Sequence, residues 1–107
     1  MTRKPVVPRE AANRDVEEAI DYYLAEGAVS AAAAFVAEFQ RALERVSANP
    51  AAGSPGYALE LRIPGLRSWR LKRFPYLLFY VEQDTFIEVW RVLHAQRDIP
   101  RWMRDIR

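Results

Sequence analysis

The sequence predicts an α+β domain in which a helical hairpin packs on one face of an antiparallel sheet. The first half shows apolar residues at the spacing of two amphipathic helices, and the second half contains three β-like runs joined by short links. A segment rich in Pro and Gly separates the halves. The length of 107 residues, with no internal repeat, indicates one domain over residues 1–107.

The N-terminal half begins with the β-prone pair Val6-Val7, a candidate edge strand that would bring the sheet from three strands to four. A first helix is predicted over about residues 9–26, and Gly27 suits its C-terminal cap. Its apolar stripe consists of Ala12, Val16, Ala19, Ile20, Tyr23 and Leu24. The charged residues between these positions are expected to stay in water: Arg14, Asp15, Glu17, Glu18 and Asp21.

A second helix is predicted over about residues 29–48 and ends at Asn49-Pro50. Its stripe consists of Ala32, Phe35, Val36, Phe39, Leu43 and Val46. Because the connection between the helices is short, they should form an antiparallel hairpin.

Residues 49–65 are interpreted as a loop, because Pro and Gly recur through them. The β-like runs that follow are 66–74, 75–82 and 85–94, and the second is apolar enough for a central strand covered on both faces. Their links are too short for parallel crossovers, so an antiparallel meander is expected. Residues 98–107 are predicted to form a short helical tail that Asp98 caps.

Charge is unevenly distributed along the chain. Residues 1–60 carry six basic and nine acidic side chains, whereas residues 61–107 carry ten basic and five acidic. Fourteen of the sixteen basic residues are Arg, whose guanidinium suits carboxylates, phosphates and aromatic faces. The second half therefore suits an acidic or polyanionic partner, although a merely solubilising surface explains the charge equally well.

Several function classes lack the residues that they need. The chain has no Cys and one His, so a metal site is not expected, and no loop has the pattern that cradles phosphates. We expect no cofactor. The absence of cysteine and of any long apolar run favours a cytoplasmic protein without a membrane span.

Two sets of basic and aromatic residues remain as candidates for binding nucleic acid or an acidic protein groove. The first is Arg67, Trp69, Arg70, Lys72 and Arg73, and the second is Arg91, Arg97, Arg101, Trp102 and Arg104. Adjacent antiparallel strands would bring parts of both sets onto one surface. In the alternative interpretation the arginines only solvate the surface. Trp69 and Trp90 are expected in the core, because large aromatics supply much of a small domain's buried area.

Three segments together resemble the ParE/RelE toxin superfamily. Residues 92–100, Val-Leu-His-Ala-Gln-Arg-Asp-Ile-Pro, are similar to the C-terminal signature of ParE-type toxins. Residues 15–23 resemble the family's first helix, and residues 74–80 resemble its central strand. The resemblance implies the toxin of a type II toxin–antitoxin module, bound in a hetero-oligomeric complex by a ParD-like antitoxin.

The resemblance also implies one of two activities: poisoning of DNA gyrase, or ribosome-dependent cleavage of mRNA. RNA-cutting relatives commonly carry Arg in the central strand, where this chain has Leu77, and a C-terminal Tyr or His, where it has Trp102. Because a general acid must exchange a proton, Trp102 is unsuited to that role. The non-catalytic gyrase inhibitor is therefore preferred, and no catalytic residue is expected.

Two alternatives stay open. In the first, the chain is a ribosome-dependent nuclease that uses His94, Arg70 and Lys72. In the second, it is a family member that has lost its toxicity and acts as a binding module. For the preferred reading, the residues after the last strand are expected to project beyond the sheet and to contact the target, because exposed tails often carry function. These target-binding candidates are Arg97, Asp98, Arg101, Trp102 and Arg104.

Overall fold

A computed structural model describes residues 3–104 of the chain, apart from the side chain of Arg104. The two long helices match the predicted hairpin closely, and the three predicted strands and the C-terminal helix are present. Residues 105–107 of the predicted tail lie outside the described range. The elements are β1 (Val6–Pro8), α1 (Glu10–Ala25), α2 (Val29–Ala48), a 3₁₀ turn (Pro50–Ala52), α3 (Gly56–Leu61), β2 (Leu66–Arg70), β3 (Tyr76–Glu82), β4 (Ile87–His94) and α4 (Ile99–Arg104).

The sheet has four strands in the order β1-β4-β3-β2. The β2–β3 and β3–β4 pairs are antiparallel, which confirms the predicted meander. β1 is parallel to β4, so the sheet is mixed, whereas a purely antiparallel sheet was expected. The helical hairpin between β1 and the meander provides the long crossover that a parallel pairing requires.

Both faces of the sheet are covered, as the apolar central strand predicted. Leu78 and Tyr80 of β3 pack with the hairpin in what we call the hairpin-side core. Phe79 and Val81 point the other way and pack with α3 and α4 in the α4-side core. Since alternate side chains of a strand lie on opposite faces, four consecutive buried residues require two separate covers.

A β-bulge in β4 adjusts which residues face each core. Phe79 pairs with Arg91 and Tyr80 pairs with Val89, so Trp90 is the extra residue of the bulge. The bulge lets Val89 and Val92 share the hairpin-side core although they are three positions apart. Trp69 and Trp90, which were expected in the core, are partly buried and pack against the hairpin-side core and the α4-side core, respectively.

The segment predicted to be a loop, residues 49–65, is largely ordered into the 3₁₀ turn and α3. It is attached to the sheet by Tyr80, whose buried hydroxyl donates to the Pro50 carbonyl at 2.7 Å. The same hydroxyl accepts the Gly53 N–H at 2.9 Å. A Cβ at Gly53 would collide with the Tyr80 ring, so this close approach requires glycine. No helix within residues 3–104 is both long and apolar enough to cross a membrane.

Replacing Tyr80 with Phe should lower the free energy of unfolding by about 1–3 kcal/mol, because a buried donor and a buried acceptor lose their partner. Urea denaturation measures the change. Tyr22→Phe is the matched control, since the Tyr22 side chain is 58% exposed, and should stay within about 0.5 kcal/mol of wild type. Equal effects of the two substitutions would contradict the role of the Tyr80 hydroxyl.

A partly buried cluster joins the start of α1 to the sheet. Glu88 accepts the Arg9 Nε–H at 3.0 Å and the Trp90 Nε1–H at 3.0 Å. The Arg9 guanidinium also lies 3.9 Å from the centre of the Trp90 ring, which is cation–π geometry. The hydrogen bond from Arg9, opposed by partial burial, lowers the pKa of Glu88 below its ordinary value of 4.5.

A lowered carboxylate pKa stabilises the fold at pH values above 4.5, and this contribution disappears as the pH falls through the folded-state pKa. Glu88→Gln should therefore be less stable than wild type near neutral pH, by about 1 kcal/mol or less because Glu88 is partly exposed. The two proteins should converge at acid pH. Thermal unfolding from neutral to acid pH tests this, with the exposed Glu10→Gln as control. A difference that grows on acidification would reverse the assigned sign.

Candidate target-binding face

A buried ion pair lies at the edge of the sheet where β1 ends. β1 covers β4 only from Ile87 to Val89, so the next part of β4 lacks a strand partner on that side. Asp15 of α1 fills this position. Its carboxylate accepts the Val92 N–H at 2.9 Å and both the Nε–H and Nη2–H of Arg91 at 2.7 Å. The geometry is bidentate, the strongest form of such a pair.

Asp15 was expected to stay in water, and that expectation was wrong, because its side chain is only 4% exposed. A signal was available in the sequence. Ala12, Asp15 and Ala19 recur at steps of three and four, so Asp15 lies on the buried stripe of α1. Its partner Arg91 could not be identified in the same way, since it lies 76 residues away in the bulge of β4.

The same arginine holds the C-terminal helix. Arg91 Nη1–H donates to the Trp102 carbonyl at 3.3 Å. Ile99 and Met103 of α4 are 3% and 1% exposed, and both lie in the α4-side core. The expectation that the segment after His94 projects beyond the sheet was therefore wrong: α4 folds back as the cover of the second sheet face, because its apolar residues need burial.

The outer side of α4 carries most of the predicted target-binding residues. The Arg97 guanidinium lies 4.2 Å from the centre of the Trp102 ring, and Trp102 is 38% exposed. Arg101 is exposed. Asp98 has the predicted capping role, since its Oδ1 accepts the Arg101 N–H at 3.3 Å. We name Arg97, Asp98, Arg101 and Trp102 the α4 face; the side chain of Arg104, the fifth candidate, lies outside the described part of the chain.

A groove of about 540 Å³ adjoins the α4 face and shares Arg97 with it. Tyr22 and Tyr23 line the α1 side, and Tyr76 and His94 line the sheet side. Burial is the main cause that raises the pKa of Tyr76 above 10.0, so this phenol stays a neutral hydrogen-bonding group at neutral pH. The groove therefore offers aromatic walls with polar rims, a combination suited to anchoring a side chain or a base.

His94 ends β4 and is held in position by its surroundings. Its Nδ1 accepts the Gln96 N–H at 3.1 Å. The ring packs edge-on against Tyr76, with centroids 5.3 Å apart. These contacts orient the histidine.

The residues of the alternative nuclease do not come together. Arg70 is on β2 and His94 is on β4, with β3 between them. By strand alternation, Arg70 lies on the α4-side face, because its neighbour Trp69 packs in the hairpin-side core. Lys72 lines a different groove, together with Trp69 and α2. The two basic sets begin on β2 and β4, which are separated by β3, so they do not lie on adjacent strands as expected.

A hairpin over a mixed sheet, with a C-terminal helix closing the second face, defines a small α+β domain of the ParE/RelE type. The model of the family "ParE toxin of type II toxin-antitoxin system, parDE" matches residues 6–99. The chain belongs to this family of toxins.

A solved structure agrees on the fold. The chain is similar to a chain of the chromosomal ParDE toxin–antitoxin system from P. aeruginosa, with a TM-score of 0.73 and 20% sequence identity. The match covers 88% of this chain and 98% of that one. None of the curated proteins searched matches the sequence.

Removal of the Asp15 carboxylate should be among the most damaging single changes in the domain. Asp15→Ala leaves the Arg91 charge and the Val92 N–H without this acceptor, at an expected cost of about 3–5 kcal/mol. Urea denaturation measures it, with the exposed Asp21→Ala on the same helix as control. The double variant Asp15→Ala, Arg91→Met should recover part of the loss, because no unmatched charge remains. A loss no larger than that of Asp21→Ala would contradict the assignment.

Proposed function

We propose that this toxin inhibits DNA gyrase through the α4 face and is neutralised by a ParD-like antitoxin in a hetero-oligomeric complex in the cytoplasm. The observation that carries the proposal is the exposed Trp102 with Arg97 stacked on it. Trp and Arg are enriched among the residues that dominate binding energy. Two buried anchors, Ile99 and Met103, hold α4 and its Trp102 against the sheet, and Arg97 lies two residues before the helix begins.

Inhibition by binding is supported over catalysis by the separation of the basic residues. His94 lies in the tyrosine-lined groove, whereas Arg70 and Lys72 lie elsewhere. A phosphodiester cleavage site needs its proton-transfer and charge-stabilising groups around one scissile bond. A surface that binds a protein target needs no such convergence.

The antitoxin is proposed to cover the end of the hairpin. Leu24 and Val29 flank the turn between α1 and α2 and are 47% and 68% exposed, and Tyr22 beside them is 58% exposed. Segments that fold on binding use apolar patches of this kind.

Co-expression with a neighbouring antitoxin gene should yield a stable complex, and Val29→Asp should weaken it without impairing inhibition of gyrase.

Substitutions on the α4 face test the target without unfolding the protein. Trp102→Ala and Arg101→Glu should each weaken inhibition of gyrase supercoiling by about tenfold or more and should relieve toxicity, because hot-spot residues contribute about 2 kcal/mol or more. Leu59→Ala is the control, because Leu59 is a large apolar residue on α3 that is 90% exposed and is not part of the α4 face. Deletion of residues 98–107 is unsuitable, since it also removes Ile99 and Met103 from the core.

The alternative activity is ribosome-dependent mRNA cleavage, and the oriented His94 in its groove is the observation that favours it. His94→Gln keeps size and hydrogen bonding but cannot transfer a proton. Under our proposal this variant retains gyrase inhibition and toxicity. Cleavage of mRNA on ribosomes that falls by about a hundredfold or more in His94→Gln would replace the proposal with the nuclease.

A further inference from the structure

A second groove, of about 530 Å³, lies between α2 and the end of β2 and is unused by the proposed function. Arg41 and Arg45 line its helical wall, and Lys72 lines the opposite wall with Trp69 as part of the floor. Arg3 closes one end. We call this feature the basic groove. From its charges and its aromatic floor, we propose that it binds the phosphodiester backbone of a nucleic acid without sequence preference.

The charge of the basic groove is positive despite the two carboxylates beside it. Four cations line it against Glu38 and Glu44. Glu38 is buried, with a side chain 7% exposed. Its carboxylate forms ion pairs with Arg41 at 3.2 Å and with Arg73 at 3.4 Å. Arg41 lines the groove and Arg73 lies outside its lining, and the four lining cations exceed the two lining carboxylates by two charges.

The basic residues are spaced and exposed as a backbone-binding surface requires. Arg41 and Arg45 are four residues apart, about 6 Å along the axis of α2. Both are exposed, as is Lys72 across the groove. Guanidinium forks bind phosphate bidentately, so two walls of cations can hold consecutive phosphates of one strand.

Trp69 favours a nucleic acid over an acidic peptide. The indole is partly buried, and the Arg45 guanidinium lies 5.6 Å from its ring centre. Basic side chains interleaved with an aromatic ring form the usual platform for nucleic-acid strands. An acidic peptide would need only the cations.

The rest of the surface orients a polyanion toward this groove. The outer face of α1 carries Glu17, Glu18 and Asp21, all of which are exposed. An asymmetric charge distribution of this kind steers association and disfavours the wrong face. The exposed carboxylates of α1 thus disfavour a polyanion, whereas the four cations of the basic groove attract one.

The test is binding of fluorescent oligonucleotides of about 20 nucleotides, as duplex DNA, single-stranded DNA and RNA, measured by anisotropy on the full chain in a salt series. Three variants lower the net charge equally: Arg41→Gln with Arg45→Gln, Lys72→Glu, and the control Arg14→Glu. Arg14 is 62% exposed and pairs with Glu10 of α1, whose side chain is 85% exposed. Circular dichroism establishes that each variant is folded.

The two groove variants should bind about tenfold more weakly than wild type at about 50 mM salt, and Arg14→Glu should bind nearly as wild type does. With duplex DNA, the slope of log affinity against log salt should fall by about 2 in the double variant. Equal loss in Arg14→Glu would overturn the proposal, since net charge alone would explain the binding. An oligoglutamate peptide of equal charge that binds as tightly as the oligonucleotides would overturn it too, and so would absence of oligonucleotide binding. The affinities of the duplex DNA, single-stranded DNA and RNA probes show which nucleic acid the groove prefers. A preference for any one of the three supports the proposal.

Discussion

The ion pair between Asp15 and Arg91 is the contact on which the arrangement of the other elements depends. It joins α1 to β4, and Asp15 also accepts the Val92 N–H at the part of the strand edge that β1 leaves uncovered. Arg91 in turn donates to the carbonyl of Trp102, which connects the pair to α4. A buried pair of this kind adds little net stability compared with apolar residues of the same size. Its value is specificity, since any other placement of α1 or α4 leaves charged groups buried without partners.

The bulge at Trp90 makes this contact possible. A regular strand would place residues 89, 91 and 93 on one face, and Arg91 would then point into a core. The additional residue sends Val92 to the hairpin-side core and leaves Arg91 at the edge, where it reaches both Asp15 and α4. The bulge is thus a structural requirement of the site, as bulges beside functional positions often are.

The same architecture separates the surfaces that the two proposals use. The α4 face is linked to β4 through Arg91, whereas the basic groove lies between α2 and the end of β2, an edge strand of the sheet. The two proposed surfaces are therefore formed by different residues.

The sequence by itself determined the local elements of this protein. The spacing of apolar residues in the hairpin and the consecutive apolar run of β3 predicted the fold class, the helix bounds and the antiparallel meander, because these patterns report how each segment buries its own side chains. The resemblance of three short segments pointed to the toxin family, and the family match confirmed it. The capping of α4 by Asp98 was also predicted from the sequence, since it depends on residues that are close along the chain.

Only the tertiary structure decided the contacts between distant residues. The parallel pairing of β1, the burial of Asp15 against Arg91 and the return of α4 onto the sheet each join positions that are far apart in the chain. Residues 49–65 looked like a loop because Pro and Gly dominate their local preferences, yet Tyr80 and the α4-side core order them. The physical reason is the same in each case: propensity acts on neighbours along the chain, whereas the need to bury apolar area and pair buried charges acts between neighbours in space.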